Sequence, residues 1–200
     1  MFKKILGKFQ YNAPVILTFS LAALCTLVLN FITGGWTNRW LFSVYRTHFY
    51  SPMQWFRTFS YVLGHANYAH FINNFTVILL VGPMLEEKYG SKSLLEMMGV
   101  TAFVTGMLQV LLFPHVALLG ASGIAFMLIL LSSFANFRKG RIPITLILVA
   151  LIYLSGEIIT GLTNPDDNIS QMGHIVGGIC GTAFGWLITK PKKDAQEAAE

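Results

Sequence analysis

Long stretches without a charged residue constrain the fold of this chain more than any other feature. They cover residues 11–36, 58–63 with 71–85, 97–119, 121–137, 142–155 and 175–189. A helix needs about 20 apolar residues to cross a hydrocarbon core about 30 Å thick. Charged residues make up only 12% of the chain, about half their share in a soluble domain. The sequence therefore predicts an all-α polytopic membrane protein with six spans.

The basic residues predict the orientation of these spans. They cluster before span one and after spans two, four and six: Lys3, Lys4, Lys8, Lys88, Lys92, Arg138, Lys139, Arg141, Lys190, Lys192 and Lys193. Lys and Arg concentrate in cytoplasmic loops. Both termini are therefore expected in the cytoplasm, with the protein in a plasma (inner) membrane. The first outer loop is an exception, because it carries Arg39, Arg46 and Arg57. The net charge of +5 thus follows from membrane topology, and no nucleic-acid partner is expected.

The chain is expected to form a single membrane domain. The N-terminal apolar stretch, residues 13–33, is too long for a signal peptide and is interpreted as a retained first span. Residues 1–193 are predicted to form the six-span domain, and residues 194–200 a disordered tail. Residues 36–54 are rich in aromatic side chains and Arg, which indicates an interfacial anchor in preference to a substrate contact.

Ser122 begins an unusually short apolar run. A helix over residues 122–137 would be about 24 Å long at about 1.5 Å per residue, which is shorter than the hydrocarbon core. Because the basic residues after it anchor its inner end, Ser122 is predicted to lie below the membrane surface at a helix N-terminus. Irregular backbone at that depth must line water or be buried in protein, which predicts a water-accessible pocket around Ser122. The alternative is a small packing residue whose hydroxyl bonds a backbone carbonyl.

Polar side chains in two other spans can converge on this serine. His70 and Asn74 are four residues apart and share one face of span two, and His65 comes shortly before them. Small residues recur every four positions in span six: Gly173, Gly177, Gly181 and Gly185. Such a stripe lets another helix approach closely. Since His174 lies beside the stripe, Ser122 on the short span four is its natural partner.

A serine and a histidine brought together indicate nucleophilic catalysis. A serine hydroxyl becomes a good nucleophile only when a base accepts its proton, and histidine is the usual base. Attack on an amide also needs donors for the developing oxyanion, which His70, Asn74 and backbone N–H groups can supply. No acid is well placed to orient the histidine. The prediction is therefore a Ser122–His174 dyad.

A metal site is the competing interpretation of the same histidines. The potential ligands are His65, His70, Glu86 and His174. The first two are five residues apart, which separates them widely around a helix, and the chain has no HExxH motif. We therefore expect no metal and no other cofactor.

The motifs of this chain resemble those of the rhomboid intramembrane serine proteases. They occur in order through spans two to six: His65, His70 and Asn74; Glu86 with Gly90 and Ser91; Gly120-Ala121-Ser122-Gly123 (GxSG); and His174 with Gly177 and Gly181 (HxxGxxxG). The resemblance implies a six-helix rhomboid-like bundle whose short fourth helix starts inside the membrane. It implies Ser122 as nucleophile and His174 as general base. It also implies oxyanion stabilisation by His70, Asn74 and the Ser122 N–H.

Three positions depart from the family pattern. Phe56 takes the place of a usual tryptophan before Arg57, and Gly173 replaces a common alanine. Phe126, one turn after the nucleophile, stands where many members have a tyrosine packed against the histidine. No departure removes a catalytic group. The supporting residues implied are His65, Gly120, Gly123, Phe126, Gly177 and Gly181.

The resemblance also implies an activity. It is hydrolysis of a peptide bond in or near the transmembrane segment of a single-pass or other membrane-protein substrate within the bilayer. The main alternative is a catalytically inactive relative that binds transmembrane helices as an adaptor, although such relatives characteristically lack the serine or the histidine. A small transporter would show repeated halves with discontinuous helices, and the sequence contains no such repeat.

Overall fold

The computed structural model describes residues 10–135, 144–145, 147–149, 151–152, 155 and 168–189. In these ranges it is helical and has no β-strand beyond an isolated bridge between Val44 and Leu118. The named helices are α1 (Pro14–Ile32), α2 (Trp36–Trp40), α3 (Pro52–Ser60), α4 (Tyr68–Tyr89), α5 (Ser91–Leu112), α6 (Ser122–Ser132) and α7 (Asn168–Thr189), with a 3-10 turn at Tyr61–Leu63.

Several predictions fall on other parts of the chain. Three groups of basic residues lie outside the described residues, at 3–8, 138–141 and 190–193. The tail at 194–200 and most of span five also lie outside them. The orientation of the spans and the single domain over residues 1–193 therefore stay predictions.

Three of the described helices are long and apolar enough to cross a membrane. They are α1, α4 and α5, with mean hydropathies of 2.4, 1.3 and 1.6. The helix α1 lies within the stretch at 13–33 predicted as the first span. The helix α4 extends beyond the charge-free run at 71–85 at both ends. The described helices thus confirm a helical membrane protein with three candidate spans, and the count of six stays a prediction.

Local sequence explains where α4 begins and ends. The Asn67 side chain accepts a hydrogen bond of 2.9 Å from the His70 N–H, which satisfies one of the free donors at the helix start. The helix continues through Pro83 to Tyr89. Gly90 follows with φ +82°, a conformation that glycine adopts without steric cost, and α5 begins at the next residue.

The bundle has an apolar exterior and a partly polar interior. Large apolar side chains are exposed on the three candidate spans, for example Leu21, Val28, Leu80, Leu95 and Leu111. Buried polar and charged side chains include Gln54, Arg57, His65, Asn74, Glu86 and Gln109. This distribution suits a hydrocarbon environment, where polar groups must find partners inside the protein.

The predicted interfacial segment has more structure than a loop. It contains α2 and leads into α3, whose Trp55 and Phe56 are exposed while Gln54 and Arg57 are buried. The side-chain amide oxygen of Gln54 accepts hydrogen bonds from the Thr47 N–H and from the Thr47 hydroxyl, at 2.6 and 2.8 Å. The buried face of α3 therefore packs into the protein and bonds the preceding part of this segment through Thr47.

Glu86 joins the first helix to the turn after α4. Its carboxylate accepts hydrogen bonds from the Val15 and Ile16 N–H groups, at 2.9 and 3.0 Å, and from the Ser91 hydroxyl at 2.7 Å. Although Glu86 belongs to the charged run Glu86-Glu87-Lys88 at the end of α4, its side chain is only 3% exposed. A buried carboxylate at the positive end of α1 satisfies N–H groups that have no partner inside that helix.

Replacing Glu86 by Gln should destabilise the protein by about 2–4 kcal/mol, because the new amide NH2 takes the place of one acceptor oxygen, leaves the Val15 or the Ile16 N–H without its acceptor, and removes the charge that strengthens these bonds. The measurement is the midpoint of unfolding in mixed detergent micelles. Glu87→Gln is the matched control, since Glu87 is exposed and should leave the midpoint unchanged. Equal midpoints for the two variants would contradict this role of Glu86.

Candidate active site

Ser122 is the first residue of α6, as predicted, and it is half-buried. The loop before it is held by backbone hydrogen bonds. Leu118 pairs with Val44, and the Gly120 N–H donates to the Tyr61 carbonyl at 3.0 Å. Gly120 has φ +123°, which a residue with a side chain adopts only under strain. These contacts determine where the chain enters α6.

Gly120 also brings this loop against two side chains of α4. A methyl group at Gly120 would lie 2.7 Å from His70 Nε2 and 3.6 Å from Asn74 Nδ2. Only a glycine allows so close an approach of backbone and imidazole. The predicted His70 and Asn74 pair therefore lies beside the backbone that leads into Ser122.

His65 orients Asn74 through a defined tautomer. His65 Nδ1 lies 3.2 Å from the Leu63 carbonyl, which can only accept, so Nδ1 carries the proton. His65 Nε2 is then the acceptor for the Asn74 amide nitrogen at 3.1 Å. One N–H of the Asn74 amide is used in this bond, and the second can donate elsewhere.

Burial keeps His65 neutral. The side chain is fully buried, in the loop before α4. Burial, with a smaller effect of the neighbouring His70, lowers the pKa of His65 from 6.5 to about 4. The imidazole rings of His65 and His70 meet edge to face with centroids 5.0 Å apart. A neutral His65 is what the acceptor role of Nε2 requires.

The helices α6 and α7 meet backbone to backbone. A methyl group at Gly177 would overlap the Gly123 carbonyl, and one at Gly181 would overlap the Met127 carbonyl. The predicted close approach of a neighbouring helix along the glycine stripe is thus confirmed, and the neighbour is α6. At Gly173 the fit is looser, since the nearest side-chain atom, on Thr105, would be 3.7 Å away.

His174 stacks on the ring of Phe126. The ring centroids are 4.3 Å apart and the planes differ by 4°. Phe126 is one helical turn after Ser122, so His174 packs on the part of α6 that follows the serine. The half-buried His174 and Ser122 therefore lie on directly contacting helices.

Other contacts at the site have no sequence signature. The Tyr61 and Leu63 carbonyls hold Gly120 and His65, respectively, and any residue type could supply such groups. Of the ligands considered for a metal, Glu86 bonds the start of α1. Within the described part of the chain, no three His, Cys, Asp or Glu side chains group closely enough to hold a metal ion.

Comparison with known families identifies one match. The family model for the Rhomboid domain matches residues 52–191, which is most of the chain and includes every motif residue discussed above. A comparison with curated proteins gives no significant match.

Replacing Gly177 by Ala should destabilise the protein by about 1–3 kcal/mol, because the new methyl group forces α6 and α7 apart. The measurement is again the unfolding midpoint in mixed detergent micelles. Gly178→Ala is the matched control. Its methyl group would meet Leu130 at an ordinary 3.7 Å, and the helix gains about 1 kcal/mol from the better propensity of alanine. If Gly177→Ala were as stable as Gly178→Ala, the α6–α7 contact would be looser than described.

Proposed function

The chain belongs to the rhomboid family, and from that premise we propose that it is an intramembrane serine endopeptidase acting through a Ser122–His174 dyad. Its substrates are single-pass or other membrane proteins, cleaved in or near a transmembrane segment. It works within the lipid bilayer, in a plasma (inner) membrane with both termini cytoplasmic, and requires no cofactor.

One observation supports this proposal above the others, namely the packing of His174 on Phe126, one turn after Ser122. The close contact of Gly123 with Gly177 keeps the two helices near each other at that level. A histidine base must come within hydrogen-bond reach of the serine that it activates. Close backbone contact makes that distance achievable without long side chains.

The proposed reaction uses the nucleophile on α6 and the base on α7, with oxyanion donors on α4. His174 removes the Ser122 hydroxyl proton as Oγ attacks the carbonyl carbon of the scissile peptide. His174 then gives this proton to the leaving amine, which departs as the C–N bond breaks. A water molecule, deprotonated by the same histidine, hydrolyses the acyl-enzyme and regenerates Ser122.

An oxyanion forms when Ser122 attacks the peptide and again when water attacks the acyl-enzyme. In each case it needs hydrogen-bond donors. The proposed donors are the Ser122 N–H, the second amide N–H of Asn74 and His70 Nε2 in its protonated tautomer. The support for the last two is their position against the backbone of Gly120, two residues before the nucleophile. His65 would hold the Asn74 amide in orientation through its hydrogen bond.

The short α6 explains how such a reaction could take place in a membrane. The helix has 11 residues, or about 16 Å of rise, and cannot cross a core about 30 Å thick. Its N-terminus would then lie at membrane depth, in a pocket that water reaches. Substrate choice would depend on how readily a transmembrane helix unwinds there, because a helical peptide bond is shielded.

The wild-type protein should cleave a model single-span substrate in liposomes, and Ser122→Ala or His174→Ala should lower the rate about a thousandfold or more. Ser132→Ala, at the other end of α6, is the matched control and should retain activity. A chelator should have no effect. Cleavage that persists in Ser122→Ala, or that a chelator abolishes, would contradict the dyad. Binding of several substrates without cleavage of any would favour the adaptor.

The stacking of Phe126 on His174 predicts a second effect on the rate. Phe126→Tyr keeps the ring and should retain most of the activity. Phe126→Leu loses the flat surface that orients the imidazole and should lower kcat about ten- to hundredfold. Single-turnover cleavage in liposomes measures this difference. Equal rates for the two variants would show that the ring does not position His174.

A further inference from the structure

A cavity lies between residues 36–60, which we call the α2–α3 segment, and the loop at 113–121 that precedes α6. Its volume is about 470 Å³, and its walls include Arg39, Trp40, Tyr45, Thr47, Arg57 and Ala117. This volume is within the range of about 300–1,000 Å³ that is common for small-molecule sites. The cavity does not involve Ser122 or His174.

Two arginines line the cavity, and the segments that build it contain no acid. No Asp or Glu occurs anywhere in residues 1–85, nor in the loop at 113–121. Within the described part of the chain, the only ion pair joins Lys92 to Glu96. Arg39 and Arg57 therefore have no carboxylate partner from the segments that build the cavity.

Arg57 is the more constrained of the two cations. It is only 4% exposed, and its guanidinium lies over the Tyr45 ring at 4.2 Å. Its two hydrogen bonds, to the Met53 carbonyl and the Thr47 hydroxyl, are both long at 3.3 Å. A guanidinium has five N–H donors, so donors remain for a ligand. Burying a cation without a counter-charge is costly.

Arg46, from the same segment, shows how an arginine is satisfied without a ligand. Its guanidinium donates to the Val110 and Leu111 carbonyls, both at 2.8 Å. These carbonyls belong to the last turn of α5, where a cation is favoured. Arg46 is thus accounted for by the protein, whereas Arg39 and Arg57 face a cavity.

The surroundings of the cavity indicate what kind of anion reaches it. Trp40 lines the cavity, and further aromatic side chains are exposed on α2 and α3: Trp36, Trp55, Phe56 and Phe59. Exposed tryptophans beside arginines are typical of the headgroup level of a bilayer. The abundant anions at that level are lipid phosphates, and arginine forks match phosphate oxygens in geometry.

We propose that this cavity binds the phosphodiester of an anionic phospholipid headgroup, which carries no cation of its own, with Arg39 and Arg57 as its cationic ligands and the Tyr45 and Trp40 rings beside the glycerol. Ala117 forms part of the wall, five residues before Ser122. The bound lipid would therefore hold the α2–α3 segment against the loop that enters α6.

Native mass spectrometry of the full-length protein in detergent micelles tests the proposal. We expect one phosphatidylglycerol to be retained at a lipid concentration where phosphatidylcholine is not. Arg39→Gln should weaken phosphatidylglycerol binding about tenfold through the loss of a charge-assisted contact, and Arg39→Lys should weaken it less. Arg57→Lys provides a second variant that keeps the buried charge. Arg46→Gln removes the same charge outside the cavity and is the matched control.

Three results would overturn the proposal. The first is equal retention of phosphatidylglycerol and phosphatidylcholine. The second is equal weakening by Arg39→Gln and Arg46→Gln, which would indicate general attraction to a basic surface. The third is displacement of the lipid by millimolar inorganic phosphate, with phosphate alone raising the thermal midpoint as much as the lipid does. This last result would assign the site to free phosphate. The readout is independent of proteolytic activity.

Discussion

The backbone contact between α6 and α7 is the constraint on which the rest of the site depends. Lipid tails are as apolar as leucine, so no hydrophobic effect draws helices together in a bilayer, and close packing must do so. Gly177 and Gly181 let α7 lie directly on the Gly123 and Met127 carbonyls. α6 has only 11 residues, too few to cross the hydrocarbon core. Its position therefore comes from its neighbours, and the position of Ser122 follows from that of α6.

Buried polar groups fix the other helices by the same physical logic. A buried polar group has little water to bond and must find partners inside the protein, and some of these bonds join two elements of the structure. Glu86 ties α1 to the turn between α4 and α5. His65 ties the Leu63 carbonyl to Asn74 on α4. Such bonds have direction, and they determine the rotation and height of helices whose outer faces are uniformly apolar.

Features that follow from spacing along one helix could be predicted from the sequence. Helical periodicity determines the shared face of His70 and Asn74 and the glycine stripe of α7, and the length of one apolar run determines the limits of α1. The role of Glu86 could not be predicted, since its partners are backbone N–H groups 70 and 71 residues away, which any residue type supplies. The helix α3 could not be predicted either, because its aromatic composition also fits an interfacial loop. The burial of Arg57 could not be predicted because it depends on tertiary packing.

The arginines of the α2–α3 segment show why counting charges is a limited guide to topology. The positive-inside rule counts the Lys and Arg residues of short loops, whatever they contact in the folded protein. Arg46 instead bonds the carbonyls at the end of α5, and Arg57 is buried beneath Tyr45. The count alone therefore does not show that these two cations have partners within the protein. Arg39 and Arg57 have no carboxylate partner from the segments that line the cavity, and a low-dielectric wall strengthens the field of such cations. The proposed lipid site would therefore attract an anion beside the loop that leads to the candidate nucleophile.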